Sequence, residues 1–319
     1  MKIVVTGSEG FIGTHVRRLL PEDAEVVRID MMEERVHGAE EPDFEVFTEP
    51  SAWAYEECKD ADVLIHLAAQ VGVADSMTDT DRYVLENTAD TAALLADLAT
   101  LSSPPRRIVV ASSMSIYGDP LTSTPITEDH AVLPVSVYGL TKFDQERLAI
   151  MYGEQMGVPV TALRFFNVYG PGQAVSNPYT GVLAIFANAL LAGEAPTVFE
   201  DGLQTRDFVY VEDVAKAVVT AALTDVPGVF NISTGTPTTI LDVATLLADV
   251  LGVDIAPTIT YTKRPGDIRH CVGSSEAFRR ETGWSPRPLR AGMEELVSAL
   301  RAGVRRPSDL AAYLAPAHP

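Results

Sequence analysis

Short apolar segments alternate with longer segments of helical periodicity through the first half of the chain. Five of the apolar segments are rich in β-branched residues and have the length of strands that are buried on both faces. The segments between them include 11–20, 81–101 and 136–156, each long enough to be a crossover helix. This order predicts an α/β fold with a doubly wound parallel sheet and helices on both faces. The predicted strands are residues 2–5, 25–29, 62–68, 107–112 and 160–166.

The pattern changes after Asn167, where glycine and proline become frequent and the elements become shorter. The simplest interpretation is a first domain over residues 1–167 and a smaller α/β domain over residues 168–319. Some segments of the second domain are expected to return to the first sheet. The elements predicted beyond Asn167 are a strand at 209–211 and helices at 183–191, 213–223, 240–251 and 291–301.

Composition and charge narrow the class of protein. The 319 residues are 46% hydrophobic and the mean hydropathy is +0.10, which fits a folded globular protein. The net charge is −20, from 24 Lys and Arg against 44 Asp and Glu. This balance argues against a nucleic-acid partner, because phosphate backbones are bound by basic surfaces. An anionic substrate would have to be met by a local group of arginines.

Cysteine usage and the first residues bear on location. The two cysteines, Cys58 and Cys271, are too few for a metal cluster or a disulfide framework, so we expect no metal site and a reducing compartment. The opening segment MKIVVTG enters a predicted strand at once, without the features of a signal peptide. The apolar runs are too short to span a bilayer. We therefore expect a cytoplasmic protein without a membrane partner.

The first predicted strand runs into the glycine-rich segment TGSEGFIG. Gly7, Gly10 and Gly13 lie three residues apart and lead into a predicted helix. Such a turn lets backbone amides approach a pyrophosphate at the positive end of the helix dipole. The second strand ends at Asp30, whose carboxylate would accept hydrogen bonds from an adenosine ribose and repel a 2′-phosphate. No basic residue follows Asp30 before Arg35, so we predict NAD rather than NADP as the cofactor.

A tyrosine and a lysine follow in the segment YGLTK. Tyr138 and Lys142 lie four residues apart on a predicted helix and therefore face the same side. The lysine charge would favour the phenolate and bring the pKa of the tyrosine closer to neutrality. A phenolate beside a nicotinamide would take the proton of a hydroxyl group while hydride leaves the same carbon.

The order of the motifs is more specific than any one of them. In this order of motifs the chain resembles the extended short-chain dehydrogenases/reductases of the NAD-dependent nucleotide-sugar epimerase/dehydratase family. Among them it is most similar to the UDP-glucose 4-epimerase-like enzymes. The resemblance extends from Lys2 to about Arg301. The motifs that carry it are TGSEGFIG, Asp30, HLAAQ, Asn87, SSMSIYG, YGLTK, RFFNVYGP, RDFVYV and RPGD.

The resemblance implies a Rossmann-type domain for NAD and a C-terminal domain for a nucleoside diphosphate sugar, either UDP- or dTDP-linked. It also implies a homodimer in which the helices at 81–101 and 136–156 pair with their copies. The segment TADT after Asn87 departs from the glycine-containing version that is usual in the family, and His66 is interpreted as structural. The residues expected at the cofactor are Gly7, Gly10, Phe11, Ile12, Gly13, Asp30, Leu67, Ala68, Ala69, Asn87, Tyr138, Lys142 and Phe165.

The catalytic residues that the resemblance implies are Ser113, Tyr138 and Lys142. Tyr138 would be the acid–base, Lys142 would bind the nicotinamide ribose, and Ser113 would bond the reacting sugar hydroxyl. Arg206 and Arg264 match the positions that bind the diphosphate, where guanidinium groups suit phosphate oxygens. The residues expected at the substrate are Ser113, Ser115, Tyr138, Phe166, Asn167, Val182, Thr197, Phe199, Arg206, Arg264 and Asp267.

The residues after Ser113 discriminate between reactions of the family. Sugar 4,6-dehydratases typically carry Thr-Asp-Glu where this chain has Ser113, Met114 and Ser115, and decarboxylating relatives usually keep a glutamate at the last position. A thioether neither gives nor takes a proton, so elimination lacks its catalyst and 4-epimerisation through a 4-keto sugar is favoured. Cys271 is small at a place where residue size affects the fit of a 2-substituent, which is compatible with an N-acetylated sugar.

Two alternatives remain open at this point. A 4-ketoreductase acting on a nucleotide keto-deoxysugar would use the same residues and exchange its cofactor in each turnover. A catalytically idle, nucleotide-binding member of the family is the other, and the intact set of Ser113, Tyr138 and Lys142 argues against it.

Overall fold

A seven-stranded parallel sheet lies at the centre of the fold, within the part of the chain that the computed structural model describes: residues 1–30, 45–46, 51–120, 124–173, 181–262, 268–304, 307–310 and 313. Every strand pair in this sheet is parallel, which confirms the sheet predicted from the β-α alternation. From one edge to the other, the strands are β11 (Gly228–Ile232), β6 (Val160–Phe165), β5 (Ile108–Ser113), β4 (Val63–His66), β1 (Lys2–Thr6), β2 (Glu25–Asp30) and β3 (Glu45–Val46).

Helices cover both faces of the sheet. The strands carry apolar side chains on both faces, and these side chains would otherwise be exposed to water. The helices α1 (Phe11–Leu19) and α7 (Val211–Leu223) pack on one face. The other face is covered by α2 (Ser51–Cys58), α4 (Asp90–Leu98) and α5 (Val137–Met156). In the described residues no helix combines the length and the apolar character that crossing a bilayer requires.

The helix expected at 81–101 is interrupted. It consists of α3 (Thr80–Tyr83), a π-helical turn over Val84–Ala89 and then α4. Asn87 lies in the π-helical turn and is fully buried, with its side chain bonded to the backbone of Gln70. Single π-turns inside helices are frequent at functional sites, and this one lies beside the end of β4.

The strand β11 was not singled out in the sequence, although it forms the edge of the main sheet. It pairs in parallel with β6, so the chain returns to the first sheet well beyond residue 167. Phe230 and Ile232 are buried there, while the Asn231 side chain donates to the carbonyl oxygen of Ile126 at 2.9 Å. A five-residue segment with one turn signal on each side is too short to be recognised by periodicity alone.

A second hydrophobic core lies in the C-terminal half. Its buried apolar side chains come from three helices and from the short strands β7 (Asn167–Tyr169), β8 (Thr197–Val198) and β10 (Phe208–Tyr210). The helices are α6 (Val182–Leu191), α8 (Ile240–Leu251) and α10 (Leu289–Arg301), and α9 (Glu276–Thr282) packs near β11. The remaining strands are β9 (Thr205–Arg206), β12 (Thr238–Thr239), β13 (Thr258–Ile259) and β14 (His270–Cys271).

A buried ion pair joins α5 to the sheet. Arg164 of β6 contacts Glu146 of α5 at 2.6 Å, and their side chains are only 6% and 1% exposed. A second guanidinium bond to Glu146 measures 3.0 Å, and the Ser112 hydroxyl donates to the same carboxylate at 2.6 Å. Arg164 also donates to the Tyr117 hydroxyl at 2.8 Å. The pair is therefore fully bonded, which is the condition under which a buried ion pair is tolerated.

Removing one charge of this pair should destabilise the fold strongly. We expect Arg164→Met to lower the free energy of unfolding by about 3 to 5 kcal/mol, because Glu146 would be left as an unpaired buried charge. Urea denaturation of both proteins measures the difference. The double variant Arg164→Met/Glu146→Leu serves as the control and should recover most of the loss. Equal losses in the single and double variants would show that the ion pair does not behave in this way.

Candidate active site

A cavity of about 600 Å³ opens at the carboxyl ends of β1, β2, β4 and β5, where parallel α/β sheets place their ligand sites. Twelve of the thirteen residues predicted for the cofactor line it. They are Gly7, Gly10, Phe11, Ile12, Gly13, Asp30, Leu67, Ala68, Ala69, Tyr138, Lys142 and Phe165.

Ten further residues line the same cavity but were not predicted for the cofactor. Thr6, His66, Gln70 and Ser112 stand within the motifs, without a role assigned to them at the cofactor. The other six lie outside the motifs: Ile29, Val71, Glu86, Asp90, Leu94 and Ala111.

The glycine loop between β1 and α1 has the geometry of a phosphate cradle. Gly7 has a φ of +70°, and a Cβ there would lie 2.7 Å from the amide nitrogen of Ala68. A Cβ on Gly13 would collide with the carbonyl oxygen of Gly7. Neither position accepts a side chain, so backbone is exposed toward the cavity at the start of α1. The loop therefore fits the pyrophosphate of a dinucleotide at a helix N-terminus.

Asp30 ends β2 at the rim of the cavity and is tied to the glycine loop. Its carboxylate accepts a hydrogen bond of 2.7 Å from the backbone amide of Glu9. The Glu9 carboxylate in turn binds Arg17 and Arg28, both at 2.9 Å. Glu9 was not recognised in the sequence as a structural residue, because its two partners lie in α1 and β2. The loop is thereby fixed against the strand that ends at Asp30.

Asn87 does not line the cavity, unlike the other residues predicted for the cofactor. Its Oδ1 accepts from the Gln70 amide at 2.6 Å, and its Nδ2 donates to the Gln70 carbonyl at 3.1 Å and to Thr141 Oγ1 at 3.0 Å. Asn87 thus lies behind the wall and fixes the backbone of Gln70, which does line the cavity.

Two acids line the cavity on this side: Glu86 of the π-helical turn and Asp90, which begins α4 and belongs to the segment TADT. Gln70 donates to Glu86 at 2.5 Å and Arg82 donates to it at 2.8 Å. Burial raises the pKa of Asp90, and the nearby charge of Glu86 raises it further. This wall of the cavity therefore carries one carboxylate that is paired with Arg82 and one carboxyl group whose proton is held more tightly than usual.

Ser113 and Tyr138 meet at the end of β5. Burial raises the pKa of the Tyr138 phenol, and the nearby Ser113 side chain opposes this shift. Ser113 Oγ accepts from the Ser115 amide at 3.1 Å. The hydroxyl of Ser136 caps the start of α5 by accepting from the Gly139 amide at 3.0 Å. Capping fixes the first turn of the helix that carries Tyr138.

Lys142 lies one helical turn after Tyr138 and is buried, as is uncommon for a lysine. Its Nζ donates to the side-chain oxygen of Gln145 at 2.7 Å. Desolvation lowers the pKa of Lys142 to about 7, while the negative charge of Glu146 acts in the opposite direction. The ammonium and neutral forms are therefore close in free energy at neutral pH.

The residues predicted for the substrate fall into separate places. Phe166 is buried against the Tyr117 ring in the core. Asn167 begins β7, and its buried Oδ1 has no hydrogen-bond partner among the described residues. Arg206 donates to the carbonyl oxygens of Thr205 at 2.9 Å and Ile268 at 2.8 Å. Arg264 and Asp267 lie outside the described residues, and Val182, Thr197 and Phe199 stand at the start of α6, in β8 and directly after β8.

Asp207, next to Arg206, is a residue that sequence reasoning missed. Its buried carboxylate accepts from the Thr234 amide at 2.8 Å, the Gly235 amide at 2.9 Å and the Gly273 amide at 3.3 Å. It ties β9 to the segment after β11 and to the residues after β14. Because the partners are backbone amides far away in the chain, no sequence pattern reveals them.

Met114 and Cys271 contact each other across the chain. Their sulfur atoms lie 3.4 Å apart, and Cys271 is buried. Burial raises the pKa of the Cys271 thiol to about 12, so it is not ionised at neutral pH. Met114 and Ser115, which follow Ser113, thus supply a thioether and a hydroxyl group, and Cys271 adds a protonated thiol. None of these three side chains is an acid or a base at neutral pH.

Comparisons with known proteins agree with this site. The NAD dependent epimerase/dehydratase family matches residues 3–233. A dTDP-L-rhamnose 4-epimerase from Burkholderia thailandensis is 31% identical, with 92% of this chain and 93% of that protein covered. A UDP-glucose 4-epimerase from Mycolicibacterium smegmatis is 34% identical, with 94% and 99% covered.

A solved structure gives the same result at the level of the fold. The UDP-N-acetylglucosamine 4-epimerase from Methanobrevibacter ruminantium, in complex with UDP-N-acetylmuramic acid, has a TM-score of 0.86 and 31% identity, over 95% of this chain and 98% of that one. The Rossmann-type fold and the NAD cofactor predicted from the motifs are thereby confirmed. The chain belongs to the NAD-dependent epimerase/dehydratase family.

Proposed function

We propose that the protein is an NAD-dependent 4-epimerase of a nucleoside diphosphate hexose. The observation that carries this proposal is that Tyr138 and the buried Lys142 line the cofactor cavity together, with Ser113 close enough to the Tyr138 phenol to lower its pKa. These groups suffice to move a proton at the C4 hydroxyl of a sugar. The three relatives described above are named as 4-epimerases of UDP- or dTDP-sugars, which supports the same reaction.

Each residue of the site has a distinct task in this proposal. The glycine loop and Asp30 would hold the dinucleotide, and bound NAD would accept and return the hydride of C4. Tyr138 removes the C4 hydroxyl proton as phenolate and returns it, while Ser113 orients that hydroxyl. Because burial raises the pKa of Tyr138, the phenolate needs a nearby positive charge. Lys142 supplies that charge.

Epimerisation rather than dehydration follows from what stands beside Ser113. Elimination of water from the sugar needs an acid and a base in addition to Tyr138. Met114 is a thioether in contact with the protonated thiol of Cys271, and Ser115 is bonded to Ser113. A 4-keto sugar at this position therefore has its hydride returned rather than losing a substituent.

The substrate is proposed to be a UDP- or dTDP-linked hexose, with Arg206 and Arg264 on the diphosphate. Asn167, Val182, Thr197, Phe199 and Asp267 would complete the nucleotide site. The unpartnered buried Oδ1 of Asn167 supports a ligand contact in this region. The net charge of −20 supports the need for local arginines at an anionic substrate.

A homodimer is part of the proposal, formed by α5 and the helical segment around α4. Large apolar side chains on both remain in water: Leu85 is 58% exposed, Leu140 48% and Met151 56%. A bond of 3.1 Å from Thr88 to Asp144 joins the two helices, so they would present one continuous face. Such a face suits self-association of two identical helix pairs. A cytoplasmic location is also proposed, which the two free thiols support.

The reaction can be identified without added cofactor. We expect the purified protein to interconvert the 4-epimers of a UDP- or dTDP-hexose with no NAD supplied, because the hydride is returned in every turnover. Chromatography of the nucleotide sugars measures this. Consumption of added NADH or NADPH by a 4-keto sugar, with no interconversion of epimers, would instead indicate a ketoreductase. No reaction with either would indicate an idle member of the family.

Tyr138→Phe tests the acid–base role. We expect kcat to fall by about 10² to 10⁴-fold, the usual contribution of a positioned acid–base group, with NAD still bound. The cofactor is measured by its absorbance after denaturation. Tyr152→Phe on the same helix is the control and should keep wild-type activity. Full activity in Tyr138→Phe would exclude the mechanism.

Leu140→Glu tests the homodimer. A buried charge at the centre of an apolar interface is strongly unfavourable, so we expect the variant to elute as a monomer in size-exclusion chromatography with light scattering. Leu203→Glu, at an equally exposed leucine in the C-terminal half, should leave the dimer intact. A wild-type protein that is monomeric at all concentrations contradicts the proposed assembly.

A further inference from the structure

Lys142 is hydrogen-bonded to a buried polar network that the proposed reaction does not itself require. The network consists of Gln145 on α5, Thr91 on α4 and His66 on β4. All three are buried, with Gln145 inaccessible to solvent. Buried polar groups of this kind need complete hydrogen bonding to be tolerated.

The orientation of the Gln145 amide is determined by its surroundings. Its nitrogen donates to Thr91 Oγ1 at 2.8 Å and to the carbonyl oxygen of Ala68 at 3.2 Å. A carbonyl oxygen only accepts hydrogen bonds, so the amide nitrogen must face Ala68. The amide oxygen therefore faces Lys142, whose Nζ donates to it at 2.7 Å.

His66 completes the network as a neutral group. Its Nδ1 lies 2.8 Å from Thr6 Oγ1, and its Nε2 lies 3.0 Å from Thr91 Oγ1 and 3.3 Å from the amide nitrogen of Gln145. Burial and the charge of Lys142 lower the pKa of His66 to about 3. The imidazole stays uncharged through the physiological range, so one of its two ring nitrogens is an acceptor. The orientation of the Gln145 amide is set by the Ala68 carbonyl oxygen.

The other ionisable groups on α5 near Lys142 have partners of their own. Glu146 is bonded to Arg164 of β6 and Ser112 of β5, and Ser113 lies close enough to Tyr138 to lower the pKa of its phenol.

Other titratable side chains lie on the elements that pack against α5. Tyr83 of α3 contacts the edge of the Tyr138 ring, and Glu86 and Asp90 line the same cavity as Lys142. Tyr117 follows β5 and is bonded to Arg164. Among the described hydrogen bonds, the one from Lys142 Nζ goes to a neutral amide and not to a carboxylate.

We infer that Gln145 is the positioning residue of the Tyr138–Lys142 pair. Its amide group is fixed by Thr91 and Ala68, and its amide oxygen holds the ammonium of Lys142 in place at the cavity. This inference rests on the proposed function of the pair. A neutral acceptor stabilises the ammonium without cancelling its charge, so Lys142 in its ammonium form keeps a positive charge one helical turn from Tyr138. A carboxylate at the same place would hold the lysine equally well and neutralise it.

The two kinds of substitution at Gln145 have opposite effects on the lysine. Gln145→Leu removes the acceptor, so the pKa of Lys142 falls below its value of about 7. Gln145→Glu keeps the shape and adds a negative charge, so the pKa rises. Because Tyr138 and Lys142 titrate as a pair, a bell-shaped pH profile reports two apparent values for the pair. The alkaline limb of kcat/KM should move down in Gln145→Leu and up in Gln145→Glu, by about one pH unit or more, a tenfold change in the proton equilibrium.

The first measurement is therefore the pH profile of kcat/KM for wild type, Gln145→Leu and Gln145→Glu. Gln204→Leu is the matched control, since this buried glutamine bonds the carbonyl oxygen of Phe199 in the C-terminal half and should move neither limb. Limbs that move in opposite directions in the two Gln145 variants support the inference. Limbs that stay in place in both, or that move equally in Gln204→Leu, overturn it.

A second measurement needs no catalysis. The pKa of Lys142 is lowered from 10.5 to about 7 in the folded chain, so burial of the ammonium destabilises the fold fully below about pH 7. Between these values the unfolded chain binds the proton that the folded chain has lost, so stability rises with pH relative to Lys142→Met. Urea denaturation from about pH 5 to about pH 10 follows this difference.

The pH at which this rise begins should be lower in Gln145→Leu and higher in Gln145→Glu, with Lys142→Met introduced into each as reference. If no epimerase activity is found while the rise shifts as described, the proposed function fails and the role of Gln145 in holding Lys142 stands. If the enzyme is active and the rise begins at the same pH in all three proteins, Gln145 does not position the lysine. Should Gln145→Leu fail to fold, the isosteric Gln145→Glu decides by the same criterion.

Discussion

The buried pair of Glu146 and Arg164 fixes the geometry on which the active site depends. It joins the helix α5 to the strand β6, and Ser112 adds the strand β5 to the same carboxylate. The neighbours of these residues are functional: Ser113 follows Ser112, and Lys142 precedes Glu146 by one helical turn. The serine and the lysine therefore come from different elements and are still held in one arrangement, because a charged, fully bonded contact allows little displacement.

Adjacent residues of α5 treat two buried cations in different ways. Glu146 gives Arg164 a carboxylate, which keeps the pKa of the guanidinium far above its usual value and makes the charge permanent. Gln145 gives Lys142 a neutral amide, and burial lowers the pKa of the lysine to about 7. One cation is thus part of the scaffold and the other can respond to its surroundings. The difference between an acid and its amide at successive positions separates the two tasks.

The sequence reveals those parts of the molecule whose physics is local. The glycine loop, the end of β2 at Asp30 and the spacing of Tyr138 and Lys142 all follow from neighbouring residues, and the structure places them around one cavity. Glu9, Gln145 and Asp207 were missed because their partners lie far away in the chain. The strand β11 was missed for a similar reason: its identity as a strand depends on the presence of β6 beside it.

Asn87 marks the boundary between the two kinds of information. Its position in the motif order was recognised, yet its side chain bonds the backbone of Gln70 and Thr141 behind the wall of the cavity. A motif identifies a residue that the fold needs. The folded structure shows whether that residue lines the ligand cavity itself or supports another residue that lines it.

The sulfur contact between Met114 and Cys271 has a consequence for metabolism. With no group there to expel a substituent, the atoms that enter the site are the atoms that leave it, and substrate and product are diastereomers of nearly equal energy. The reaction itself therefore has little driving force in either direction. The net direction of flux is then set by the reactions that supply one diastereomer and withdraw the other, and the protein keeps the two pools in equilibrium.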